Sequence, residues 1–270
     1  MERDTDLTSP EVWDSFYTNH VIAERRLPAL LAPDSYYRRR FIEFFRAVLP
    51  RDPAGRVLEV GCGGSEYLPY FAKEFGYGLW GIDYSPTGAA LARRNLELLG
   101  LPGRIIQGDF FDRALLEGER FTAVCSFGVI EHSLEPERFI ARKAELLAPG
   151  GVALTQVPNL LGYAGHCLRW ARPEVYRQHV PISAERLHAM HLDAGLEPVA
   201  RASYFGSLNL WQLNPWLGWY QRLPRPLPRL VPKFVTALNL TAGALLEHSG
   251  RAPESRFFSP DVIAAYRKPL

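Results

Sequence analysis

Three short apolar runs in this sequence each end in residues able to hold a ligand. Val57-Leu58-Glu59-Val60 passes straight into Gly61-Cys62-Gly63-Gly64-Ser65. Glycine suits such a turn because the backbone can fold tightly and approach a ligand with no side chain between them. The free N–H groups of a helix starting just beyond would favour a carboxylate or another anion. Asp83 closes the next run, where an acidic side chain can take the hydroxyls of a nucleoside ribose. Gly108-Asp109-Phe110 closes the third, offering a carboxylate to an adenine amine and a ring to stack on it. Each of these alone suits an ordinary turn. Together they point to a ligand that contains a nucleoside.

The dinucleotide fingerprint G-x-G-x-x-G is broken, because Glu66 stands where the third glycine belongs. A carboxylate there would oppose a diphosphate, which makes an NAD-type or nucleotide-sugar enzyme the weakest reading.

The elements that must position these residues alternate along the chain. Strands are expected at Arg56–Val60, Gly78–Asp83, 104–108, Phe121–Phe127 and 152–157, as short apolar runs of the kind buried in parallel sheets. Helical spacing is found at 86–99 and 136–147, and Ser183 is placed to cap a further helix over 183–194. Two helices, over 13–31 and 35–49, precede the first strand, and two last strands are expected at 197–204 and 259–266. Such alternation predicts an α/β fold of right-handed crossovers, with helices on both faces of a mostly parallel sheet.

Composition bounds the rest. The chain of 270 residues is 47% hydrophobic and 22% charged, which suits one globular domain with an elaboration. A net charge of +2 gives no reason to expect a nucleic-acid partner. Cys62, Cys125 and Cys167 are isolated and lack metal-type spacing, as in a reducing compartment. Met1-Glu2-Arg3-Asp4 is too polar to open a signal peptide, and no apolar run approaches the ~20 residues that span a bilayer. A cytoplasmic protein is expected.

Taken in order, five segments resemble the motifs of class I S-adenosylmethionine-dependent methyltransferases. They are Glu59-x-Gly61-x-Gly63, Gly81-Ile82-Asp83-Tyr84-Ser85, Gly108-Asp109-Phe110, Phe127-Gly128-Val129-Ile130-Glu131-His132 and Leu147-Ala148-Pro149-Gly150-Gly151. The branch is similar to the ubiquinone-biosynthesis O-methyltransferases. The resemblance covers about 56–199 and returns at 259–268, and it implies a Rossmann-like seven-stranded sheet whose last strand is antiparallel. It implies S-adenosyl-L-methionine as the cofactor. Gly61, Cys62 and Gly63 would pass its methionine moiety, with Glu59 orienting the loop and the amino group. Asp83 would take the ribose hydroxyls, with Tyr84 beside the adenine. Asp109 would hold the adenine amine next to Phe110, and the backbone near Ser126 and Phe127 would meet the methionine end. Ser65 departs from the third glycine of many relatives. Tyr17 or Trp13 is a candidate to close over the cofactor.

Methyl transfer asks mainly for in-line positioning, and a hydroxyl acceptor also needs a base. His132, just beyond the fourth strand, and His179, in a loop that relatives often use near the acceptor, are the two candidates; His132 could instead cap or pack the following turn. Some members of the branch bind a divalent ion through E-x-x-E-H after that strand. Gly128 here replaces the first glutamate, so no metal is expected. Oxygen is the acceptor atom favoured by the resemblance, with nitrogen and carbon open. A non-catalytic S-adenosylmethionine-binding protein is the alternative from another class.

The segment 209–250 differs from its surroundings. No Asp or Glu occurs from 198 to 246, while Arg222, Arg225, Arg229 and Lys233 lie beside Trp211, Trp216, Trp219 and Tyr220. Pro224, Pro226, Pro228 and Pro232 are expected to break it into short pieces before an apolar helix at 234–246. The segment reads as a helical lid walling a pocket for a small apolar or amphipathic acceptor, with peripheral contact to anionic lipid as a second role. The expected organisation is a helical cap at 1–54, a core at 55–208, the lid at 209–250 and the returning strand at 251–270. Oligomeric state leaves no mark on the sequence.

Overall fold

The computed structural model describes residues 5–19, 36–206, 224–249 and 254–270. Seven strands form one sheet in the order β3-β2-β1-β4-β5-β7-β6. β1 (Arg56–Val60), β2 (Gly78–Asp83), β3 (Gly103–Gln107), β4 (Phe121–Phe127) and β5 (Leu147–Pro158) run parallel. β7 (Asp261–Arg267) lies antiparallel between β5 and β6 (Glu197–Phe205).

The apolar runs become strands because both faces of the sheet are covered, so alternate residues on one strand enter different cores. On β1, Val57 joins one core with Phe45 and Phe71, while Leu58 and Val60 join the other with Phe139 and Leu187. The helices α2 (Tyr36–Val48), α3 (Tyr67–Phe75) and α4 (Pro86–Leu98) supply residues to the first core. The second core takes residues from α5 (Pro136–Leu146) and α8 (Ala184–Asp193). Caps set their starts: Ser85 Oγ accepts from Gly88 N–H, and Ser183 Oγ from Arg186 N–H.

Before the core, α1 (Pro10–Asn19) packs on α4. It starts three residues before the expected 13–31 helix, whose part from 20 on lies outside the described residues. Two short helices, α6 (Tyr163–Ala171) and α7 (Pro173–Tyr176), follow β5.

Pro228 and Pro232 do not break the segment as expected, while Pro224 and Pro226 precede the helix. α9 is one helix, Leu227–Ser249, lying against α2. Pro228 falls in the first turn, where the N–H groups have no helical partner, and Pro232 forfeits one hydrogen bond. Residues 209–223, with Trp211, Trp216, Trp219, Tyr220 and Arg222, lie outside the described residues. Among the described residues no helix is long and apolar enough to cross a membrane.

Candidate functional site

The chain builds β1, β2 and β3 to one side of β1, then returns to place β4 and β5 on its other side. Ligands in open α/β sheets bind outside the carboxyl ends of the strands at such a switch point. Here a cleft enclosing about 930 Å³, mouth included, opens beyond the ends of β1 to β4.

Its floor is the glycine turn after β1. Gly61 has φ +71°, and a Cβ on it would stand 2.6 Å from Val129 Cγ2. A Cβ on Gly63 would meet the Tyr17 ring at 2.6 Å and Gly88 Cα at 2.7 Å. Only a bare backbone lets the turn, the α4 start and α1 come so close. Ser65 has a local reason to replace glycine: its Oγ donates to Glu59 Oε2 at 2.6 Å and accepts from Tyr67 N–H at 2.9 Å. Glu59 is thereby anchored beneath the turn, and burial pushes its carboxyl up to about 8.

Asp83 ends β2 with both carboxylate oxygens engaged. One accepts from Gly63 N–H at 2.8 Å and the other from Ser85 N–H at 2.9 Å. Burial raises its pKa to about 6, against the pull of these two hydrogen bonds. The side chain therefore clamps the glycine turn to the start of α4 while lining the cleft. Tyr84 donates to Thr8 O at 3.2 Å. Asp109 accepts from Phe111 N–H at 2.9 Å and lines the cleft beside Phe110, whose ring stacks on Phe139.

At Cys62 and Ser126 the expected cofactor contact concerns the loop and the backbone, and their side chains do not line the cleft. The Cys62 side chain is buried and would be 2.5 Å from a Cβ on Gly81, on the sheet side of the turn. Ser126 Oγ accepts from Lys143 Nζ at 2.6 Å inside the core, while Phe127 lines the cleft and stacks on Tyr67 at 3.9 Å.

His132 lines the cleft and His179 does not, yet their rings are in contact. His132 Nδ1 lies 2.9 Å from Gln178 O, a carbonyl that can only accept, so Nδ1 carries the proton and Nε2 is bare. Burial and the neighbouring His179 hold the His132 pKa down to about 3. Glu131 Oε1 sits 3.8 Å from His132 Nε2, and burial lifts that carboxyl to about 8.

α1 completes the wall with Trp13, Phe16 and Tyr17. Asp14 accepts from Ser85 Oγ and from Thr87 N–H at 3.1 Å, joining α1 to the start of α4. Leu7 N–H donates to His132 O at 2.8 Å, and Leu134 N–H to Thr5 O at 2.8 Å, so residues 5–8 also fasten to the loop after β4. Among the described residues, none from α9 lines the cleft.

The sequence reading missed Lys143. Its amine donates to Ser126 Oγ, to Leu154 O at 2.8 Å and to Thr155 Oγ1 at 2.9 Å, and burial lowers its pKa to about 7. The available signal was its helical spacing from Phe139, Ile140 and Leu146, which places it on the inward face of α5.

With the geometry in hand, the family model described as a methyltransferase domain matches residues 34–201. The chain belongs to the class I S-adenosylmethionine-dependent methyltransferases. The ubiquinone biosynthesis O-methyltransferase of Cereibacter sphaeroides is 30% identical over 155 residues, 54% of this chain and 62% of that one. A probable S-adenosylmethionine-dependent methyltransferase of Mycobacterium tuberculosis is 26% identical over 185 residues, 67% of this chain and 63% of that one. The matches thus span less than two thirds of these relatives. An S-adenosylmethionine-dependent methyltransferase structure from Thermotoga maritima superposes with a TM-score of 0.58 at 16% identity, covering 96% of this chain and 98% of that one. At that identity the likeness concerns the fold alone. The site fits the family's cofactor: the chain keeps a bare glycine floor where a side chain would collide, with carboxylates at the ends of β2 and β3.

Proposed function

We propose that the protein transfers the methyl group of S-adenosylmethionine, in line, to a small apolar or amphipathic acceptor, with oxygen the favoured atom. The cofactor supplies an electrophilic methyl on a sulfonium, so the protein's task is to orient, exclude water and take up a proton. The observation that carries the reading is a single cleft holding Asp83, Asp109 and His132 around the bare turn at Gly61 and Gly63. Asp83 would hold the ribose hydroxyls, and Asp109 with Phe110 the adenine. Gly61 and Gly63 would pass the methionine moiety above Glu59, with Tyr17 and Trp13 closing over it.

His132 is the proton acceptor of this reading. Its bare Nε2 can accept a hydrogen bond from an acceptor hydroxyl, and at a pKa of about 3 the ring stays neutral at every physiological pH. Such a weak base orients the hydroxyl and takes its proton only as the new bond forms. Apolar side chains lining the cleft, Phe16, Phe127 and Val129, support an apolar or amphipathic acceptor. The helical lid expected at 209–250 stays part of this proposal, with residues 209–223 outside the described residues. Three free cysteines, two of them buried, support a cytoplasmic location.

The test is calorimetry with S-adenosylmethionine, followed by a screen of phenolic and prenylated acceptors for methylated product by mass spectrometry. Cofactor binding with methylated product is expected. Absence of cofactor binding would overturn the reading; binding without transfer to any acceptor would favour a sensing or scaffolding role.

A further inference from the structure

α9 carries an apolar stripe that faces solvent. Leu227, Leu230, Phe234, Leu238 and Leu245 are between 44% and 67% exposed, which is unusual for five large apolar side chains on one helix. Their spacings of three, four, four and seven residues put them within about 80° of one another around the helix axis. The stripe runs along about 27 Å of helix. On the adjoining flank Val231, Val235 and Ala242 are half-buried, and the helix lies against α2. The exposed stripe is thus a second apolar face, beyond the one that docks the helix on the protein.

Charge selects the occupant. Lys233 and Arg225 are exposed at the edge and foot of the stripe, and Arg229 follows in sequence. No Asp or Glu occurs anywhere from 198 to 246. A two-fold contact between copies would bring these cations together, and Glu247 in the last turn is the one carboxylate the helix offers against them. An anionic lipid surface meets both features at once, taking leucine and phenylalanine into its acyl boundary and lysine and arginine among its head groups. We propose that the α9 stripe seats the protein on the surface of an anionic membrane, with the helix lying in the interfacial plane. The helix does not span the bilayer. No described side chain of α9 lines the cleft, so docking by this face leaves the described cofactor site intact.

The test uses the full chain, with vesicles of phosphatidylcholine alone or mixed equally with phosphatidylglycerol, followed by sedimentation at low and high salt. Binding to the anionic vesicles is expected to be at least about tenfold tighter and to fall at high salt. Phe234→Glu and Leu238→Glu should each lower it about tenfold, since each sets a carboxylate in the acyl boundary. Lys233→Glu should weaken binding and Lys233→Arg should preserve it. Calorimetry with S-adenosylmethionine on the same variants should give wild-type affinity, showing that the fold and the cofactor site are unchanged. No vesicle binding, or binding that ignores the α9 substitutions, overturns the proposal. A concentration-dependent dimer dispersed by Phe234→Glu, with no vesicle binding, would overturn it in favour of a second copy. Because vesicle binding is read without catalysis, its failure is separate from failure of the methyl-transfer reading.

Discussion

The rings of His132 and His179 lie 4.4 Å apart between centroids, inclined by 48°. Each gives its Nδ1–H to a backbone carbonyl, His132 to Gln178 at 2.9 Å and His179 to Val175 at 2.8 Å. Both Nε2 atoms are therefore bare, and two imidazolium ions so close would repel. Burial acts in the same direction, so the pair stays uncharged. Only His132 reaches the cleft.

His132→Ala is expected to lower kcat for a hydroxyl acceptor by about 10²–10⁴-fold while leaving cofactor affinity unchanged. His179→Ala should cost much less, because that ring acts only by packing on His132. Steady-state kinetics with calorimetry on both variants checks this. Equal losses would remove the assignment of roles.

Asp83→Ala should weaken S-adenosylmethionine binding by about 10–100-fold. A hydrogen bond to a charged group contributes about 1.5–3 kcal/mol. The variant also deprives Gly63 and Ser85 N–H of their acceptor and loosens the turn. An affinity close to wild type, measured by calorimetry, would mean that the ribose is held elsewhere.

The same carboxylate predicts a pH dependence. Its folded pKa of about 6 lies above the ordinary 3.8 because of burial. Asp83 therefore favours the fold at pH below 3.8 and loses that contribution as pH rises through 6. Ligand binding runs the other way, since only the ionised form accepts both ribose hydroxyls. S-adenosylmethionine should raise Tm more at pH 7.5 than at pH 5, by about tenfold in affinity for the single pH unit below 6. Thermal melts with and without ligand read this directly, and Asp83→Asn should abolish the difference.

Gly61→Arg should eliminate cofactor binding while the far-UV spectrum keeps its α/β signature. The turn needs φ +71°, and any Cβ would collide with Val129 at 2.6 Å. Unchanged binding in that variant would misplace the site.

Activity is expected without an added divalent ion, because Gly128 supplies no carboxylate to a possible site there, leaving Glu131 and His132. Complete inactivation by a chelator, reversed by magnesium or zinc, would refute this.

The sequence by itself determined the strands and their order of use. β1, β2, β4 and β5, inside the sheet and covered on both faces, must be short apolar runs, and the residues after the parallel strands must meet at one edge of the sheet. Val57–Val60 with Gly61, and Asp83 ending β2, could therefore be read locally as a nucleoside site. What the tertiary structure alone decided depends on residues far apart in the chain. α1 reaches the cleft through Leu7 bonding to His132 and Asp14 to Ser85, contacts that no local periodicity encodes. The facing of Cys62 and Ser126 away from the cleft was decided by Gly81 and Lys143, their neighbours across the sheet and beneath it. α9 passes through Pro228, whose missing N–H has no helical partner in the first turn, and through Pro232 at the loss of one hydrogen bond. Sequence registers where a side chain is apolar or charged; what it faces is set by packing between elements that meet only in the folded chain.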